Sequence, residues 1–344
     1  MTRTAREAGS AGPQNGSDLR GSIVSIVTPF TEALDFDEPA FVDLIEWQIK
    51  SGSHGVSVTG TTGEPSSLSL DEREHLVETA AKTIGGRVPF IPGTGTNNLK
   101  ETLRLTRHAE ALDADAALVI VPYYNKPSQE GLYRYFSELA DSVDIPIIIY
   151  NIPGRTAVNM APETMARLRN AHLSIIGAKE SNKDFEHVSR VIHQCGRDFN
   201  VYSGIELLCY PMLAIGGAGH ISATANIFPR EVADIYNHVA AGRWEKAIEL
   251  HYYLLEINDM IFFETNPGPL KFALGELGRI NPSLRPPMCE PSEANQSRIR
   301  GVLADYGLIG GAGGVAKLGE RPPGRQDTVA LGVADADRRK GEDV

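Results

Sequence analysis

The sequence predicts an α/β protein, a closed (β/α)8 TIM barrel with a C-terminal helical extension, and three observations lead there. Eight short runs rich in Val and Ile recur along the chain at intervals of roughly 25–35 residues. Each run is apolar enough to be buried on both faces, as a parallel strand covered by helices must be. The segments between them are longer and amphipathic, and they open on helix-start signals. An open doubly wound sheet would want a glycine-rich dinucleotide turn after the first strand, where this chain has Thr28-Pro29-Phe30.

In chain order, strands are expected over 23–30, 55–60, 88–95, 116–124, 146–153, 174–181, 199–204 and 219–224. Leu70-Asp71-Glu72-Arg73-Glu74 places acids in a first helical turn, where they complement the helix dipole. Ser128-Gln129-Glu130 precedes another helix, and Ala161-Pro162-Glu163 puts a proline where its missing N–H costs nothing. From about residue 244 only helices are expected, over 245–263, 269–277 and 292–306, separated by Asn266-Pro267-Gly268-Pro269 and Arg285-Pro286-Pro287. The chain therefore divides into a barrel at 21–243 and a three-helix region at 244–309. Residues 1–20 and 310–344 have little to bury and read as disordered tails.

Composition excludes several classes of function. A net charge of −11 over 344 residues argues against nucleic acid or an anionic membrane surface as partner. No apolar run approaches the roughly 20 residues that span a bilayer, and the N-terminus lacks a signal-peptide core, so a cytoplasmic protein is expected. Cys195, Cys209 and Cys289 lie far apart with no CxxC and no metal-ligand spacing, which suggests reduced thiols and no metal site. No nucleotide loop or flavin motif is visible.

The chemistry centres on Ile175-Ile176-Gly177-Ala178-Lys179-Glu180-Ser181. A lysine at the end of a buried strand must pair with an acid, such as Glu180, or give up its proton and become a nucleophile able to form a Schiff base with a carbonyl. In a barrel of this kind the strand carboxyl ends converge. They carry Gly60-Thr61-Thr62-Gly63-Glu64, Pro122-Tyr123-Tyr124-Asn125, Tyr150-Asn151-Ile152-Pro153-Gly154-Arg155 and Ser222-Ala223-Thr224-Ala225-Asn226. The Gly-Thr-Thr-Gly turn suits a carboxylate, or is a plain turn. A tyrosine beside a lysine can exchange protons with it, or can be core. Arg155 makes a surface ion pair, or a fork for a substrate carboxylate.

Together and in this order, these motifs resemble the dihydrodipicolinate synthase and N-acetylneuraminate lyase superfamily of pyruvate-dependent class I aldolases, over about residues 21–309. The resemblance implies that Lys179 forms the Schiff base with pyruvate and that Tyr150 is the general acid and base. It implies that Thr62 binds the pyruvate carboxylate, that the backbone of Ile221 lies against the bound pyruvate, and that Thr61 links Tyr150 to Tyr124. In the family that last tyrosine reaches into the neighbouring subunit's site, so a homotetramer, a dimer of dimers, is implied. No cofactor beyond the lysine is expected.

Arg155 after Tyr150-Asn-Ile-Pro and the run Tyr124-Asn125-Lys126-Pro127 are similar to the synthases rather than to the sugar-acid lyases. The implied reaction condenses pyruvate with L-aspartate 4-semialdehyde, and Gly204 matches a glycine lining the substrate. Departures also occur. Pro65 and Ser66 follow the Gly-Thr-Thr-Gly-Glu turn, and Ile205 follows Gly204 where synthases usually carry a polar residue, which leaves another acidic aldehyde open. Leu70 and Arg73 stand where lysine-inhibited synthases carry histidines, although Asn97, Glu101 and Tyr123 match that pocket, so weak or absent feedback by lysine is expected. The competing readings are another pyruvate aldolase or a 2-keto-3-deoxy sugar-acid aldolase or dehydratase, and a non-catalytic binding barrel.

Overall fold

The computed structural model describes residues 19–310, so the expected tails lie outside the described residues except at their inner ends. Leu19 belongs to the folded part: it is buried, and Tyr202 Oη donates to its carbonyl at 2.6 Å. The strands are β1 (Gly21–Ser25), β2 (Gly55–Ser57), β3 (Ala117–Ile120), β4 (Ile147–Asn151), β5 (Ile175–Glu180), β6 (Asn200–Ser203) and β7 (Gly219–Ser222). Around them lie α1 (Glu38–Ser51), α2 (Leu70–Ile84), α3 (Leu99–Ala111), α4 (Gln129–Ser142), a short α5 (Pro153–Thr156), α6 (Pro162–Ala171), α7 (Phe185–Cys195), α8 (Cys209–Ala214) and α9 (Pro229–Ala240). All neighbouring strands are parallel, in the order β2-β1-β7-β6-β5-β4-β3.

The eighth stave is the expected third strand, and it is irregular. Val56 N donates to Pro89 O at 2.9 Å and Gly93 N to Val58 O at 2.8 Å, which joins the segment to β2. On its other edge Leu118 N donates to Pro92 O at 2.9 Å and Thr94 N to Leu118 O at 3.0 Å, which joins it to β3 and closes the barrel. Pro89 and Pro92 have no N–H to give, so the ladder is broken into isolated pairs. The first strand is also shorter than expected, because from Val27 the backbone leaves the ladder and donates instead to Asn226 Oδ1 at 3.1 Å.

Alternation along each strand sorts side chains into two layers. Ile23, Ile148, Tyr150, Tyr202 and Ile221 point into the barrel and pack with Leu19, Ile91 and Leu118. Val24, Ile147, Ile149, Ala178 and Val201 face the helices and join the larger outer core.

The extension consists of α10 (Trp244–Tyr253), α11 (Leu255–Met260), α12 (Gly268–Glu276) and α13 (Glu293–Asp305). The first expected helix is thus two, divided at Leu254. Besides its apolar packing, the extension has an ionic anchor. Lys271 of α12 is fully buried, donates to Glu64 Oε1 at 2.8 Å and Thr28 O at 2.9 Å, and lies 4.2 Å from the centre of the Phe30 ring. Among the described residues no helix is long and apolar enough to cross a membrane, and no group of three or more His, Cys, Asp or Glu could hold a metal.

Removing one partner of a buried ion pair strands the other charge. Lys271→Met is therefore expected to cost roughly 3–5 kcal/mol in denaturant unfolding, and a loss below about 1 kcal/mol would show that this pair does not hold the extension down.

Candidate active site

Lys179 faces the barrel interior because of a register shift. Ile147 pairs with Ile175, but Ile148 pairs with Gly177, so β5 carries one extra residue. A one-residue slip exchanges the faces of every side chain beyond it. Beyond it Lys179 pairs with the inward-pointing Tyr150, and Glu180 faces the helices. Gly177 permits this close passage, since a Cβ there would sit 2.3 Å from Asn200 O.

This arrangement removes the acid that could have neutralised Lys179. Glu180 is fully buried and accepts from Asn151 Nδ2 at 3.0 and 3.2 Å, with His187 Nε2 at 3.3 Å from Oε1. Among the described residues no carboxylate lies within ion-pair distance of Lys179, which is 4% exposed. Its amine instead lies 4.4 Å from the centre of the Tyr150 ring.

Tyr150 is the link between the lysine and the solvent-facing cavity. Its hydroxyl is 3.3 Å from Thr61 Oγ1. Burial pushes the phenol up, but the Lys179 charge foremost, then the Thr61 hydroxyl and Arg155, outweigh it and leave the group below its ordinary value. A phenol tuned in this direction gives up its proton more readily beside an amine.

The cavity holds about 290 Å³, and Thr61, Tyr123, Tyr150, Arg73, Arg155 and Asn266 are on its wall. Arg155 stands on α5, immediately after β4, and donates to Asn266 O at 3.0 Å. Thr62 is buried and its hydroxyl accepts from Asn266 Nδ2 at 3.1 Å. Gly204 abuts the lysine: a Cβ there would lie 2.9 Å from Lys179 Cε and 2.1 Å from Ser181 Oγ. Ile221 packs in the barrel interior with Tyr150. Tyr124 stands apart, 89% exposed and at φ +71°, and makes no bond to Thr61 within the chain.

As a site residue, Asn266 escapes the sequence reading. Asn266 holds Thr62 and Arg155 together, while its own buried Oδ1 has no partner among the described residues. It stands before Pro267-Gly268-Pro269, a stretch that reads as a helix break. Arg73, 5% exposed, donates to Gly93 O at 2.9 Å, and its Nε has no partner among the described residues; burial lowers it to about 10, against the weaker pull of Tyr123 and Glu101.

The model of the dihydrodipicolinate synthetase family matches residues 18–305. The chain belongs to this family. A 4-hydroxy-tetrahydrodipicolinate synthase of Thermodesulfovibrio yellowstonii is 47% identical over 291 residues, 85% of this chain and 99% of that one. Another, of Thermus thermophilus, is 48% identical over 292 residues, 85% of this chain and 97% of that one. Among solved structures, dihydrodipicolinate synthase of Aquifex aeolicus superposes with a TM-score of 0.83 at 42% identity, covering 84% of this chain and 98% of that one. Membership in the dihydrodipicolinate synthetase family covers nearly the whole of residues 19–310, so barrel and extension are both part of the family's fold.

The Thr61 contact is testable without substrate. Thr61→Val removes a hydrogen bond that favours the phenolate, so the Tyr150 titration is expected to move to higher pH in ultraviolet difference spectra against a Tyr150→Phe background. A downward or absent shift would separate Thr61 from the phenol's ionisation.

Proposed function

We propose that this protein is a Schiff-base lyase, a 4-hydroxy-tetrahydrodipicolinate synthase that condenses pyruvate with L-aspartate 4-semialdehyde in the cytoplasm. The observation that carries the reading is a buried lysine with no acid partner among the described residues, set against a tyrosine whose hydroxyl leads to the cavity. Lys179 in its neutral form attacks the pyruvate ketone, and loss of water gives the Schiff base. Loss of a methyl proton gives the enamine, whose carbon attacks the aldehyde. The acceptor's own amine then displaces Lys179 from the imine carbon, closing the ring and freeing the enzyme. Each step moves a proton, and in this scheme Tyr150 carries it. No cofactor beyond the Lys179 amine is required.

Thr62 and the Gly-Thr-Thr-Gly backbone hold the pyruvate carboxylate in this scheme, and the backbone of Ile221 lies against the bound ketone. Gly204 leaves the room the lysine needs, and Arg155 takes the carboxylate of the aldehyde. Tyr124 joins the relay through Thr61 across an interface between copies, for which its exposure and left-handed backbone suit it, within a homotetramer built as a dimer of dimers.

Borohydride with pyruvate is expected to add mass at Lys179, and the semialdehyde is expected to exceed other aldehydes by orders of magnitude in kcat/KM. If mass is added but the semialdehyde is slow, the acceptor is a different acidic aldehyde. Arg155→Met, which deletes a charge-assisted contact, is expected to lower kcat/KM for the semialdehyde roughly 10- to 100-fold while leaving the borohydride trap intact.

Feedback by lysine is expected to be weak or absent, because Leu70 and Arg73 stand where the resemblance gives lysine-inhibited synthases histidines, and Arg73 brings a buried positive charge to that position. Inhibition at sub-millimolar lysine would count against it.

A further inference from the structure

His220 and Ser222 of β7 point away from the barrel interior, on the opposite face from Ile221, and meet a carboxylate there. Glu206 accepts from Ser222 Oγ at 2.8 Å, Ala223 N at 2.6 Å and Thr224 N at 3.3 Å, and His220 Nε2 lies 3.2 Å from its Oε2. The other nitrogen of the same ring, His220 Nδ1, is 2.9 Å from Cys209 Sγ. All three side chains are buried, and none of them lies on the wall of the active-site cavity.

The cluster is connected to Lys179 by a very short run of chain. Gly204 N donates to Glu180 O at 2.8 Å, and the space left by its missing Cβ is taken by Ser181 Oγ and, next to it, by Lys179 Cε. Two residues later Glu206 ties the same loop to the end of β7, and three residues after that Cys209 begins α8. The loop that shapes the lysine's channel is therefore fastened at one end to β5 and at the other to β7.

We propose that Glu206, braced by His220 and Cys209, is a positioning residue for Lys179: it holds the Gly204 wall against the lysine and makes no contact with the second substrate. A carboxylate receiving this many donors stays ionised, and the balance of charge agrees. Burial pushes Glu206 up, but His220 and the Ser222 and Ala223 donors bring it below its ordinary value. Burial pulls His220 down, and Cys209 and Glu206 together raise it to about 10. The thiol satisfies the ring nitrogen that Glu206 cannot reach, so the ring stays turned towards the carboxylate.

This inference rests on the Schiff-base reading, and its test separates the two. The rate of borohydride-trapped pyruvate addition needs no aldehyde, and wild-type protein that is not trapped at all would overturn the Schiff-base reading itself. With trapping established, Glu206→Gln and His220→Gln are each expected to slow the trapping rate about tenfold and to lower kcat, with KM for the aldehyde unchanged. Cys209→Ser, which keeps a polar partner for His220 Nδ1, is expected to retain the wild-type trapping rate, and Cys209→Ala to lose part of it. A rise confined to the aldehyde KM in Glu206→Gln would make Glu206 a substrate contact and overturn the proposal. A lowered melting temperature with unchanged trapping in all four folded variants would leave only a structural brace and overturn it equally. Should Glu206→Gln fail to fold, the Cys209→Ser and Cys209→Ala pair decides, since equal trapping rates in the two would refute the bracing.

Discussion

The active site depends on one extra residue in β5. Without the shift between Ile175 and Gly177, strand parity would turn Lys179 towards the helices and leave Glu180 inside. The cost of the bulge is met by glycine, whose missing Cβ lets the backbone of β6 pass where any other residue would collide with Asn200 O. From that shift follow the pairing of Lys179 with Tyr150, the removal of Glu180 to a separate buried network with Asn151 and His187, and the exposure of the amine to an aromatic face rather than to a carboxylate.

The same sorting of charge governs the whole upper end of the barrel. The chain carries a net charge of −11, yet Arg73 and Arg155 line the cavity and Lys179 lies behind Tyr150. The acids nearby are committed elsewhere. Glu180 is held on the helix side, Glu206 is engaged by β7, and Glu64 is paired with Lys271. The carboxylates of the proposed ketone and aldehyde thus meet positive charge in a local field opposite in sign to that of the molecule, and it is the local field that decides small-ligand binding.

The eight-fold alternation is legible because helices on one side and a packed interior on the other make most staves predominantly apolar, a pattern visible without contacts, although β6 and β7 carry polar residues such as Asn200, His220 and Ser222. Its least regular member, at 88–95, was found by composition although prolines prevent a continuous ladder. Lys179, Tyr150, Thr61 and Arg155 could be named from their places at strand ends. That Lys179 points inward could not, because parity counted from Ile175 gives the wrong face and only the pairing with β4 reveals the shift. Asn266 was invisible for a different reason: its two contacts lie 111 and 204 residues away in sequence, beyond the reach of any local pattern.

Those long-range contacts give the C-terminal extension a role in the site as well as in stability. Lys271 secures α12 against Glu64, in the turn that directly follows Thr61 and Thr62, and Asn266 leads into the same helix. One side chain of the extension therefore fixes the turn, and a neighbouring residue spans from that turn to Arg155. Thr62 and Arg155 come from different staves of the barrel, so their separation would otherwise be set by loops alone. Because Asn266 bonds both, the spacing between the two proposed carboxylate positions is set by a residue outside the barrel. A pair of substrates that must approach within bonding distance demands that kind of fixed spacing.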